Sequence, residues 1–163
     1  MYPLVFLGIT LITAAIHLLL RKSKKRLNSK RVIEVILAYF LFINIGLSGI
    51  FAFTGHAFFS EKVAINLGWP SGSPFQFEVA ATNLAFGILG ILSMWIRGNF
   101  WVATGLGSAV FSFGAAYGHI REMITKQNFA IYNIGSVLFV NDILVPLIIL
   151  SLVIAYKSTH KEK

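Results

Sequence analysis

The stretch "YPLVFLGITLITAAIHLLLRKSKKRLNSKR", Tyr2 to Arg31, decides how the whole chain is read. Tyr2 to Leu20 holds no Asp, Glu, Lys or Arg, whereas Arg21 to Arg31 holds seven Lys and Arg. About 20 mostly apolar residues make a helix long enough to cross a bilayer. Basic residues gather on the cytoplasmic side of such helices. An apolar run followed by a basic block reverses the charge order of a secretory signal, and no clear small-residue cleavage site follows. Tyr2–Leu20 therefore reads as a retained membrane helix. Its basic loop, Arg21–Arg31, is expected to meet anionic lipid headgroups in the cytoplasm.

Working outward, the composition agrees. The 163 residues are 56% hydrophobic and 12% charged, where soluble domains carry about 25% charged residues. A soluble fold this small leaves too much surface in water to bury so many apolar side chains. Lipid removes that difficulty. The net charge of +8 does not mark a nucleic-acid surface, because seven of the fourteen basic residues lie in one block between apolar runs. The absence of cysteine excludes disulfide exchange, thiolate metal sites and iron–sulfur clusters.

Hydropathy predicts helices at about 2–20, 32–54, 75–96, 100–120 and 131–156. The expected fold is an all-α integral membrane bundle of five transmembrane helices, a single membrane domain over residues 1–163. The turn "RGN" (97–99) forces the third and fourth helices into an antiparallel hairpin. In the longer connection, "AFFSEKVAINLGW" (57–69) predicts a short interfacial helix with Trp69 at headgroup level. Pro74 sits where a helix likes to start. With the amino terminus outside, eleven basic residues fall inside and three (Lys62, Arg121, Lys126) outside. The expected location is a prokaryotic inner (plasma) membrane, with the amino terminus outside and the carboxy terminus cytoplasmic.

Polar residues inside hydrocarbon are costly and usually face the bundle interior. Counting about 1.5 Å per residue sorts them into two layers. Asn44, Asn83, Asn141 and Asp142 form a midplane layer. His56, Glu78, His119 and Glu122 form one near the outer surface. At 100° per residue, His119 shares a stripe with Ala116, Ala115, Ser112, Ser108 and Gly105, so it is expected to point into the bundle. Glu78 shares its stripe with Ala81, Thr82 and Ala85, a second expected packing face. Asn83 lies on another face, with Gly87 and Gly90.

Each group has an ordinary reading beside a functional one. The asparagines glue helices by hydrogen bonds, typically worth under about 2 kcal/mol each. His119 bonds a backbone carbonyl or Glu78. A mid-bilayer carboxyl is harder to explain. Asp142 is either a neutral acid bonded to Asn44 or Asn83, or a group that titrates. Pro146 would clash with the Asp142 carbonyl and weaken the helix there. His56, His119 and Glu122 have the ligand chemistry for zinc, iron or manganese, but the paired Glu-x-x-His motifs of di-iron bundles are absent.

The order of elements from Asn44 to Ile120 resembles the DoxX-like group of small prokaryotic membrane proteins: a helix, an outer segment ending in "LGWP", a Gly- and Leu-rich helix opening on an acidic residue, a short basic turn, and a Gly/Ala-rich helix. That resemblance implies a quinone-linked oxidoreductase subunit, with one helix added to a four-helix core. The chain is also similar to an uncharacterised family of small bacterial and archaeal membrane proteins. There the pattern would be Gly55-His56, Glu78, Asn83, Gly118-His119 and Asn141-Asp142, and it implies no activity.

The residues on their own point first to a small ligand or ion. It would bind in a polar pocket open to the outer face and formed by His56, Glu78, Asn83, His119 and Asp142, with proton-coupled transport through Asp142. The alternatives are quinone chemistry among fifteen Phe, five Tyr and three Trp, or a non-catalytic assembly subunit meeting a membrane partner or a second copy. No nucleophile–base pair and no phosphate loop is present, which disfavours an enzyme.

Overall fold

The computed structural model describes residues 2–22 and 28–160, and it leaves the side chain of Lys22 undescribed. The middle of the basic loop (23–27) and the tail (161–163) lie outside the described residues, so the expected headgroup contact at Arg21–Arg31 falls largely outside them.

Six helices follow in order: α1 (Tyr2–Lys22), α2 (Ser29–Phe58), α3 (Ser60–Leu67), α4 (Phe75–Leu92), α5 (Asn99–Lys126) and α6 (Ile131–Thr159). All except α3 are long and apolar enough to cross a membrane. Large apolar side chains such as Leu11, Leu19, Ile88, Leu106 and Ile154 point outward, as in a bundle that lipid solvates. The chain alternates direction. One end of the bundle therefore carries Arg21, Arg31, Arg97 and Lys157 (the basic end). The other carries α3 and the residues after α5 (the loop end).

Local chemistry sets the helix ends. Asn28 caps α2, its side chain accepting from the Arg31 N–H at 2.9 Å. Gly68 ends α3 with φ 71°, a left-handed conformation suited to glycine. Several helices outrun their predicted limits. α5 continues to Lys126 because "REMITK" is polar but still helix-forming. At 28 residues it is about 42 Å long, more than a bilayer core requires.

α2 and α4 cross closely. Gly46 and Gly49 of α2 face Gly87 and Gly90 of α4, and a side chain at Gly90 would run into the Gly46 backbone. Such glycine contacts let membrane helices approach where no hydrophobic force drives them. The core sits in the basic half, around Leu37, Leu41, Trp101, Ile149 and Tyr156.

Two spans widen into π turns, α2 over Phe40–Leu47 and α6 over Val137–Leu144. Each wide segment ends on a bond to the fifth residue back, Ser48 N–H to Ile43 and Val145 N–H to Val140. In α6 the cause is Pro146, which has no N–H and would strike the Asp142 carbonyl in a regular helix. A wider turn relieves that clash. In α2 no proline is present, and the widened turn carries Gly46 into the α4 contact.

Candidate functional site

In the loop half the spans separate around a cavity of about 430 Å³. Its wall is mainly apolar (Val79, Val110, Phe111, Val137), and its polar groups are His56, Asn83, His119, Asn141 and Asp142, with Tyr2 also on the lining. The size suits a small ligand, and a mostly apolar wall with a few convergent polar groups is the usual character of such sites.

His119 is the hub. It is 7% exposed, on the packed face of α5. Its Nδ1 lies 2.8 Å from Asn133 Oδ1. Asn133 itself has no exposed surface. Its Nδ2 donates to the backbone carbonyls of His119 (3.2 Å) and Asn128 (2.8 Å). Both partners are acceptors, so the amide can point only one way. Asn133 Oδ1 must then accept, and His119 Nδ1 must carry the hydrogen. The network continues outward, with Asn128 Nδ2 donating to the Leu67 carbonyl at the end of α3 (2.8 Å). Trp69 folds over His119, the two rings stacked at 6.4 Å with a 16° tilt.

With Nδ1 fixed as the donor, His119 Nε2 is left facing Asp142 Oδ2 at 3.5 Å. That is long for a hydrogen bond. Asp142 is 3% exposed. Its Oδ1 accepts from Asn141 Nδ2 at 2.8 Å, while Oδ2 has no hydrogen-bond partner among the described residues. One proton decides the state of the pair. On Asp142 it leaves two neutral groups, and on His119 it makes a buried ion pair. His56 Nδ1, also on the cavity lining, is the other buried side-chain atom without a partner among the described residues.

The predicted residues are therefore regrouped. His56, Asn83, His119 and Asp142 line one cavity. Glu78 does not. It is exposed on the outside of α4, because that helix packs through Gly87 and Gly90 and turns the Glu78 stripe away. Glu122 is also elsewhere, bonded to Lys126 (2.6 Å) and Asn128 (3.3 Å). Among the described residues no three His, Asp or Glu side chains are grouped to hold a metal ion, so the set His56, His119 and Glu122 is not assembled. Asp142 bonds neither Asn44 nor Asn83 as expected. Asn44 Nδ2 donates to Thr10 Oγ1 (2.6 Å), and Asn83 Nδ2 donates to its own helix at Val79 (2.9 Å). Asn133 is the residue that sequence reasoning missed. Its only signal was an amide in the first turn of α6.

The remaining histidines lie at the basic end. His17 contacts Tyr39 (3.1 Å) and Arg21 (3.0 Å), and His160 Nε2 lies 2.7 Å from Glu34.

No curated protein and no solved structure matches the chain. A family profile does match, over residues 1–162, and by that match the chain belongs to a family of unknown function, DUF6790.

Proposed function

We propose that this protein binds a small ligand or ion in the His56–His119–Asp142 cavity and exchanges a proton with it, as a proton-coupled transporter of a prokaryotic plasma membrane. The cavity opens to the outer face in the orientation that the basic residues favour. One observation carries the reading: Asp142 Oδ2 is buried without a hydrogen-bond partner, beside His119 Nε2 and on the wall of a ligand-sized cavity. A buried carboxyl oxygen without a donor is costly. A ligand carrying an N–H or O–H would supply the donor. An ammonium or hydroxyl head on a small apolar body fits both the polar floor and the apolar wall.

A second reading has one observation behind it. The apolar wall and the Trp69 ring over His119 would also take a flat ring, as the quinone-linked role implied by the DoxX-like likeness requires.

The test uses purified protein in liposomes loaded with a pH-sensitive dye, challenged with small organic amines, small alcohols and sodium chloride. The expected result is an internal pH change with at least one probe in wild type, lost in Asp142→Asn at unchanged melting temperature. If Asp142→Asn responds like wild type, the reading is wrong. An organic extract of the protein containing stoichiometric quinone would move the assignment to the second reading.

A further inference from the structure

Beneath the cavity lies a second, smaller chamber of about 50 Å³. Tyr2, Ala52, Asn83, Phe111 and Asn141 line both, so the two adjoin. The polar residues on the lower chamber are Tyr2, Asn44, Ser48, Asn83, Ser108, Ser112 and Asn141. It contains no charged side chain.

The three amides are all committed in the same sense. Asn83 Nδ2 donates to the Val79 carbonyl, which can only accept. Asn141 Nδ2 donates to Asp142 Oδ1. Asn44 Nδ2 donates to Thr10 Oγ1, whose own hydrogen is already given to the Phe6 carbonyl. Each amide therefore has one N–H committed and its orientation fixed, with Oδ1 on the opposite side. The three Oδ1 atoms bond nothing among the described residues, yet none is sealed away as a buried orphan. They are free acceptors on residues that line the chamber. Ser108 likewise gives its hydrogen to the Gly105 carbonyl, leaving its lone pairs free. The chamber thus offers hard oxygen acceptors on three amides whose orientation is fixed.

We propose that this chamber binds a monovalent metal cation of sodium or potassium size through the amide oxygens of Asn44, Asn83 and Asn141, completed by serine hydroxyls and water. Hard cations take oxygen ligands, and neutral oxygens without a carboxylate suit a single charge. The volume holds one such ion with a water or so, each water taking about 30 Å³. Two of the ligands, Asn44 and Asn141, stand on the two π turns, a deformation common at functional sites. The proposal rests on the lining of the lower chamber alone and stands whatever occupies the cavity above.

The test is the melting temperature of detergent-purified protein, titrated with sodium, potassium or choline chloride at matched ionic strength and fixed pH. Sodium or potassium should give a saturable rise of about 5 °C at a hundredfold excess over Kd, with none from choline. Asn83→Ala removes one ligand and breaks no bond between helices, and Ser151→Ala, on the exposed face of α6, serves as control. Loss of even an outer partner of a metal ligand commonly costs 10- to 100-fold in affinity, so Asn83→Ala should raise the half-saturating concentration at least about tenfold. The control should match wild type. An equal response to all three salts in wild type, or a wild-type response in Asn83→Ala, would overturn the proposal. Should Asn83→Ala not fold, retention of radioactive sodium by wild type decides: displacement by potassium but not choline supports the site, and no retention of either metal ion refutes it.

Discussion

The two halves of this bundle are built to opposite rules. In the basic half, Leu37, Leu41 and Trp101 have no exposed surface, and Ile149 has 1%. The polar atoms there are matched. Trp101 Nε1 donates to the Ser93 carbonyl at 2.7 Å, and the ring packs 5.2 Å from Tyr156 under the Arg97 guanidinium. The loop half holds the cavity, the His119–Asp142 pair, and both partnerless buried side-chain atoms found among the described residues. Packing is concentrated at one end and unsatisfied polarity at the other. The five long helices are apolar enough to cross a membrane, where lipid as apolar as the core would leave packing and hydrogen bonds to hold the bundle together. A solid half can then hold open a half that is not optimised for stability.

Mutations at the two ends should therefore differ in kind. The largest stability loss is expected from Trp101→Ala, about 3 kcal/mol, at the low end for removing a large buried aromatic because lipid solvates what is exposed. Denaturant titration of the detergent-solubilised protein measures it, and a loss below about 1 kcal/mol would mean that the basic half is not the anchor. Gly90→Val comes next, at about 2 kcal/mol, because its side chain meets backbone that cannot yield. The same substitution at Gly114, where nothing lies within 4 Å, should cost little beyond helix propensity. Equal losses at both positions would deny the close α2–α4 crossing.

How far the sequence disclosed this contrast can be judged from particular residues. The spans, the "RGN" hairpin and the short helix at Ser60–Leu67 were legible because hydropathy and turn chemistry act locally. The inward face of His119 was legible because small residues at helical spacing mark a packing stripe. Glu78 was misread because Ala81, Thr82 and Ala85 form the same kind of stripe. Gly87 and Gly90 prevailed, since glycine admits a closer backbone than alanine does. The separation of Asp142 from His119 into two layers assumed a regular rise along α6. It also assumed that α5 ends near His119, whereas α5 continues to Lys126 and α6 is interrupted at Gly135 before its wide turn, and the two side chains meet. Such departures depend on the neighbour that accepts them, and one helix read alone does not show its neighbour.

The smallest expected effect on stability separates the halves most sharply. Half-buried His56 carries a buried Nδ1 with no partner among the described residues, so that nitrogen is desolvated without return. Replacing it by leucine removes that penalty while keeping comparable bulk. His56→Leu should leave unfolding free energy within about 0.5 kcal/mol of wild type, or raise it slightly. Binding in the cavity should nevertheless weaken, because one of its few polar groups is gone. A polar residue kept only for structure would behave in the opposite way, losing stability and leaving binding alone. If His56→Leu melts well below wild type, His56 has a structural partner in the folded protein, and the loop half is held together by the same rules as the basic half.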